Sequence, residues 1–372
     1  MCKVAHLTSA HFPFDARVFH KECRTLAAAG YETHLVVPHD TSEEVDGVHV
    51  HGVESPRFRA ERVLKTTVNV GRKAWALDAN LYHIHDPELL PLAVLLSAAG
   101  DPVVYDAHED LPANMLARDW IPEDVRSSVS WAAGHIESFF ANRVDGIVAA
   151  TPAIEDRFSQ MRPPVVPVQN FPVLDDVDHA VSPTPYGERP PRIAYVGGLT
   201  PARGTVEMIE AIGRVEASLN PGMTIAGQFG SEELEQEAAA ADGWDRVDFR
   251  GRVPQEEVFR LLGDVRLGLV VMQPVPNYVA AQPLKLFEYM AAGIPVVASD
   301  FPLWRTIVGE AECGLLVDPR RPDDIAEAIE WLLRHPEEAE AMGQRGRRAV
   351  EQTYNWTAEA QSLLSLYRTL LN

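Results

Sequence analysis

Residues 282–300 read QPLKLFEYMAAGIPVVASD, a short helix punctuated at both ends that feeds a buried strand. Gln282 is placed to cap the helix and Pro283 to take its first position, where a missing N–H costs nothing. Gly293 closes it, and Pro295 opens the apolar run Val296-Val297-Ala298. The first turn of a helix holds N–H groups without intrahelical partners, and these suit an anion. Lys285 and Glu288, three residues apart, share one face. A cation therefore stands at the phosphate end and a carboxylate one turn deeper, where it can take up a vicinal diol. A nucleotide offers phosphate and ribose in that order. The plainer reading is an ordinary i,i+3 ion pair on a core helix.

A second segment shifts the balance. Residues 193–204, IAYVGGLTPARG, run from an apolar strand through a Gly-Gly turn to a basic residue and the start of another helix. Gly197 and Gly198 let a ligand approach the backbone closely, and Arg203 brings a planar donor fork matched to two phosphate oxygens. A Gly-Gly turn alone is a weak signal, whereas the two segments in this order point to one phosphate site.

Together these segments resemble the nucleotide-sugar glycosyltransferases of GT-B type, in the retaining family 4 (glycosyl transferases group 1), and the likeness spans nearly the whole chain. One subgroup carries N-Y-x-x-x-x-P-x-K-L-F-E-Y, matched here from Asn277 to Tyr289. The resemblance implies that Gly197, Gly198 and Arg203 bind the pyrophosphate and that Glu288 is the ribose-binding second glutamate of a Glu-x7-Glu pattern. The first glutamate falls on Ala280, and Gly198 stands where an arginine is common, a charge that Lys285 can replace. Donor contacts are accordingly expected from Gly197, Gly198, Arg203, Val253, Pro283, Leu284, Lys285 and Glu288, with Val253 and the neighbouring Arg252 near the base. Arg203, Lys285, His108 and Asp15 are the expected catalytic residues. The family implies a uridine diphosphate donor, retention at the anomeric carbon, and a diphosphate held by backbone dipoles and basic side chains, with no metal and no cofactor.

Length and composition agree with two domains. At 372 residues with 46% apolar content, the chain can bury two cores. Short β-like runs alternate with helical patterns in both halves, which means parallel sheets covered by helices. The fold class is therefore α/β, and the resemblance implies two Rossmann-like doubly wound domains facing across a cleft. The expected divisions are an acceptor-side domain over 1–172, a Pro- and Asp-rich linker over 173–191, a nucleotide-sugar domain over 192–352, and a helix over 353–372 that crosses back onto the first domain. That last helix offers Ala358, Leu363, Leu364, Tyr367 and Leu371 as an apolar side.

A net charge of −21 argues against broad nucleic-acid binding. Cys2, Cys23 and Cys313 are scattered and odd in number, as reduced thiols in a cytoplasmic chain would be. The opening MCKVAHLTSAHFPFD has no signal-peptide core, and the apolar stretch Leu89–Ala99 is too short for a bilayer. No pattern specifies an oligomer. One stretch departs from the acidic average: Arg57, Arg59, Arg62, Lys65, Arg72 and Lys73 alternate with Phe58, Val63, Leu64, Val68 and Trp75. A solvated helix face or loop is the plainer reading, and weak peripheral contact with an anionic membrane through 57–75 is the other.

The N-terminal candidates follow strand ends. His108, in YDAHED, can donate to and accept from sugar hydroxyls; a loop histidine satisfied by Asp106 or Glu109 is an equal alternative. His11, Asp15, Arg17, Asp86 and Glu109 are expected on the acceptor side, although Asp15 is equally suited to cap the helix that follows. His83 and His85, two apart on a strand, invite a metal reading with Asp86. Asp86 has a capping role open to it, and no third and fourth ligands stand at metal-type spacing, so no metal is expected. Two other classes remain. Ala280 and Gly198 lack functional side chains, as in a degenerate, non-catalytic homologue that binds a partner enzyme. A Rossmann oxidoreductase is disfavoured because the first strand–loop has no Gly-x-Gly-x-x-Gly.

Overall fold

The computed structural model describes residues 2–118, 120–180 and 184–372; the side chains of Arg59 and Ala180 also lie outside that description. The chain divides into two compact units. One comprises the residues up to Asn170 together with Trp356–Asn372, and the other is Phe171–Asn355.

The first unit is built on an eight-stranded sheet of β1 (Lys3–Leu7), β2 (Glu32–Pro38), β3 (Glu43–Val45), β4 (Val48–Val53), β5 (Leu81–Ile84), β6 (Val103–Ala107), β7 (Gly146–Ala149) and β8 (Val165–Pro167). Their order is β3-β4-β2-β1-β5-β6-β7-β8, parallel except for the β3–β4 hairpin. Strands such as Leu81-Tyr-His-Ile84 are buried on both faces, as a helix-covered parallel sheet requires. The chain reverses direction across the sheet between β1 and β5. The loops after β1, β5 and β6 thus meet at the carboxyl edge beside a switch point, where doubly wound sheets place ligands.

The last helix, Trp356–Leu371, packs within this unit. Trp356 Nε1 donates to Thr25 Oγ1 at 2.8 Å, and Glu359 accepts the Gln169 N–H at 2.7 Å. Its buried face is Trp356, Ala360, Leu363, Leu364, Leu366 and Tyr367. Ala358, expected on that face, is exposed, because the face follows the 360-363-364-367 spacing set by Trp356.

The second unit holds β9 (Arg192–Val196), β10 (Gly222–Ala226), β11 (Val247–Gly251), β12 (Leu267–Val270), β13 (Val296–Ser299) and β14 (Gly314–Val317) in the order β11-β10-β9-β12-β13-β14, all parallel. Its switch point lies between β9 and β12. The helix of the opening motif spans Leu284–Ala291, with Pro283 as its cap residue in place of Gln282. It is buried almost all round through Leu286, Phe287, Tyr289, Met290 and Ala291. Gly268 in β12 makes this possible, since a Cβ there would overlap the Tyr289 ring. The Tyr289 hydroxyl in turn accepts the N–H of Val196 at 2.9 Å, fixing the helix to the end of β9.

The 173–191 segment belongs to the second unit and is not a loose linker. Leu174–Ala180 is helical, and Val177 and Tyr186 enter the cores. Proline-rich composition concealed these apolar anchors; residues 181–183 lie outside the described residues.

Candidate active site

In the second unit, Gly197 follows β9 with φ +127°, a backbone state that side chains rarely adopt. A Cβ built there would lie 3.0 Å from Lys285 Nζ, and one at Gly198 would lie 2.8 Å from Arg203 Nη1. Two cations from different elements therefore converge on the Gly-Gly turn. Arg203 Nη1 and the Tyr195 hydroxyl both donate to the Gly198 carbonyl, at 3.2 and 2.8 Å. The Lys285 ammonium sits 3.8 Å from the centre of the Tyr195 ring. Gly198 is needed here because the space a side chain would take is occupied by the Arg203 guanidinium.

Lys285 Nζ and Arg203 Nε are sealed from solvent and have no hydrogen-bond partner. Burial, then the neighbouring Arg203 charge, drives the Lys285 pKa well below the ordinary lysine value against the opposing pull of Glu288. A buried donor left unpaired is costly, and an incoming anion would relieve it. Glu288 is buried one turn deeper on the same helix, and Leu284 begins it. Val253 lies on the loop after β11, half-buried against the hydrophobic core. Ala280 ends the short helix Pro276–Val279.

In the first unit, a 720 Å³ cavity opens at the carboxyl edge of the sheet and takes in His11, Asp86, His108 and Glu109. Its lining also includes the apolar Leu111, Met115, Ile136 and Phe140, with Asn114, Arg118 and Glu137 among them. His11 and His108 meet edge to face at 4.9 Å. Asp86 does not cap its helix with its side chain. It accepts from Thr8 Oγ1 and the Ser9 N–H, both at 2.7 Å, and so ties the β1 loop to β5. Burial would raise its pKa, but His11 and the Ser9 N–H outweigh that and hold it below the usual range. His108 Nδ1 lies 3.3 Å from the Asp106 carbonyl, so the alternative of a satisfied loop histidine is met by backbone and its Nε2 edge stays available. Glu109 accepts from Asn114.

Two expected site residues fall elsewhere. Asp15 Oδ1 accepts the N–H groups of Arg17 and Val18 at 2.8 and 3.0 Å, which is a capping role. Arg17 is buried and forks onto both oxygens of Asp106 at 2.8 Å, with Nη1 on the Val168 carbonyl. It is part of the core, since Val18, Phe19 and Cys23 beside it pack on β2 and β4 while its own side chain reaches Asp106 in β6.

Sequence reasoning missed Glu88, which lines the cavity and pairs with Arg62 Nε at 2.8 Å while accepting from Ser9 Oγ. It also missed the third and fourth polar partners of His83 and His85. His6 and Glu22 lie against them, the first by strand pairing and the second from the first helix. The signal was present as VAHL against YHIHD, two strands carrying histidines in phase.

The basic 57–75 stretch is helical from Arg59 onward. Lys65 pairs with Glu54 and Glu61, while Phe58, Leu64 and Trp75 remain exposed. Among the described residues, no helix is long and apolar enough to cross a membrane.

Comparison with known proteins adds two family models, "Glycosyl transferase 4-like domain" over residues 16–173 and "Glycosyl transferases group 1" over residues 180–349. The D-rhamnosyltransferase WbpZ of Pseudomonas aeruginosa is 24% identical over 91% of this chain and 87% of its own length. Among solved structures, sucrose-phosphate synthase from Thermosynechococcus elongatus matches with TM-score 0.78 at 18% identity, covering 100% of this chain and 99% of that one. HepE of Anabaena, in complex with UDP-glucose, matches with TM-score 0.73 at 15% identity over 99% of this chain and 100% of its own.

Proposed function

We infer the reaction from one premise, that the chain belongs to the group 1, family 4 glycosyltransferases and is a glycosyltransferase of GT-B fold. It moves a sugar from a nucleoside diphosphate, uridine-linked as in the HepE complex, to a hydroxyl of a glycan, lipid-linked or small-molecule acceptor, with retention at the anomeric carbon.

One observation carries this reading. Lys285 Nζ is buried, unpaired and beside the Arg203 guanidinium, over a turn whose glycines make room for both cations. As the glycosidic bond breaks, negative charge grows on the leaving diphosphate, and fixed donors act most strongly where charge develops. Arg203, Lys285 and the N–H groups at Leu284 fill that role, and Glu288 takes the ribose diol. The leaving phosphate accepts the proton of the attacking hydroxyl, so the chemistry needs neither a dedicated base nor a glutamate at Ala280. Nor does it need a divalent ion or another cofactor at the diphosphate, and kcat should not change with added Mg²⁺ or Mn²⁺.

On the acceptor side, His11, Asp86, His108 and Glu109 offer hydrogen bonds to the cavity, and its apolar lining residues suit an acceptor with a hydrocarbon part. His108 supplies a donor and an acceptor to sugar hydroxyls. Exposed Phe58, Leu64 and Trp75 beside basic residues support a cytoplasmic protein that touches the inner membrane face peripherally. Sedimentation with anionic vesicles at low salt checks this, and binding that ignores salt, or none, rejects it.

The deciding experiment screens nucleotide sugars by thermal shift and assays the best one for release of nucleoside diphosphate. Arg203→Ala and Lys285→Ala should each lower turnover by roughly 10²–10³-fold. Unchanged kinetics in both would remove the site assignment.

A further inference from the structure

Beside the cavity of the first unit lies a polar cluster that sugar transfer leaves unused. β1 and β5 pair in register with His6 opposite His83, and His85, two residues on, points the same way as His83. The three imidazoles lie 4.7–5.1 Å apart, centre to centre. Glu22 descends on them from the turn Val18–Cys23. Its Oε2 is 3.8 Å from His6 Nδ1, 3.9 Å from His83 Nδ1 and 3.9 Å from His85 Nε2. All four side chains are fully buried.

The cluster is under-satisfied as it stands. Neither Glu22 oxygen receives an aligned hydrogen bond, although Arg17 Nε lies 3.1 Å from Oε1, and His83 Nε2 is also without a partner. Arg17 already forks onto Asp106, so one buried cation faces two buried carboxylates. The surroundings fix the tautomer of His85. His85 Nδ1 is 3.0 Å from Asp106 Oδ2 and donates to it, which leaves the Nε2 lone pair to accept from His6 Nδ1, 2.9 Å away. Tyr367 Oη lies 3.1 Å from His6 Nε2 and 2.8 Å from His83 Nδ1, so His83 Nδ1 must exchange that bond for the ion. An imidazole that donates one N–H to a carboxylate or hydroxyl and presents the other nitrogen is oriented as metal-bound histidines are.

We propose that His6, His83, His85 and Glu22 bind a single divalent transition-metal ion, with zinc the best match, at a closed structural site in the first unit. Three imidazoles and one carboxylate fill a tetrahedral shell and suit zinc; magnesium and calcium prefer oxygen donors. Ligand atoms around zinc stand about 3.3 Å apart for bond lengths near 2.0–2.1 Å. The Glu22 distances lie above that separation and the 2.9 Å between His6 Nδ1 and His85 Nε2 lies below it, so shifts smaller than an ångström bring these pairs to it, and all four ligand atoms already lie within 4.8 Å of one another. The His6 Nδ1 proton moves to Nε2 on binding, toward the Tyr367 oxygen, and the ion ties β1, β5 and the first helix together. The site is separate from the Gly197–Lys285 cluster, so its presence or absence leaves the donor assignment untouched.

The test uses the full chain without a polyhistidine tag, expressed with added zinc. Elemental analysis should find about one zinc per chain, and exchange for Co²⁺ should give the visible bands of a four-coordinate site. Extraction with a strong chelator should lower the melting temperature, and zinc, not magnesium, should restore it. Glu22→Gln and His83→Ala should each lose the cobalt bands. A wild-type protein that carries no metal and takes up no cobalt overturns the proposal, and so do cobalt bands unchanged in both variants. The wild-type cobalt spectrum decides even if the variants do not fold.

Discussion

At the scale of single residues, Lys285 shows stability given up for binding. Its ammonium is buried with no hydrogen bond, stacked on Tyr195 beside another cation. Lys285→Met keeps the stem and removes the charge, so it should stabilise the free protein by roughly 1 kcal/mol while costing the turnover described above. A melt that falls instead would mean the ammonium already has a partner. The pH dependence has a definite sign. The folded pKa lies well below the unfolded one, so between them the unfolded chain holds one more proton, and this residue's contribution to stability improves as pH rises through that window. Donor binding runs the other way. A diphosphate beside Lys285 raises its pKa, so binding takes up a proton and weakens as pH rises. Calorimetry in buffers of different ionisation enthalpy should detect that uptake, and Lys285→Met should abolish it.

At the scale of elements, the motif helix is placed by one tyrosine and one glycine. Tyr289→Phe leaves the buried Val196 N–H without its acceptor and should cost roughly 1–3 kcal/mol. Gly268→Ala pushes a methyl group into the Tyr289 ring and should cost a similar amount, roughly 1–3 kcal/mol. Both should weaken donor binding too, because the helix that carries Lys285 moves relative to the Gly-Gly turn; denaturant melts with nucleotide titrations check each. Local signals made the helix itself readable, since Pro283, Gly293 and the apolar run after Pro295 are punctuation. The Tyr289–Gly268 contact was not readable, because it joins residues whose meeting depends on sheet order. The same limit hid Glu22 from His6 and His83. Arg17 was misplaced, and Asp15 left between two readings, for a related reason. Short loops after strands carry both caps and ligands, and only the partners, Asp106 in one case and two N–H groups in the other, separate them.

At the scale of the whole molecule, each unit has its own sheet and its own cores, and the chain ends supply one of them jointly. The last helix buries Trp356, Leu363, Leu366 and Tyr367 in the first unit, against β7, β8 and the first helix. Fully burying a large apolar side chain contributes roughly 1.5–3 kcal/mol, so four contribute roughly 6–12. A whole domain has a net stability of only about 5–15 kcal/mol. Ending the chain at Asn355 should therefore unfold the first unit, while Phe171–Asn355, which loses none of its own core, stays folded. Expressed alone, Phe171–Asn355 should melt in one cooperative transition that moves upward with UDP, because Gly197, Arg203, Lys285 and Glu288 all lie within it. The 1–355 chain should show that same transition only, with its first unit open to protease. A protease-resistant first unit in 1–355 would show that the final helix is dispensable to that core. An isolated second unit whose melt ignores UDP would show that the phosphate site is not complete within it.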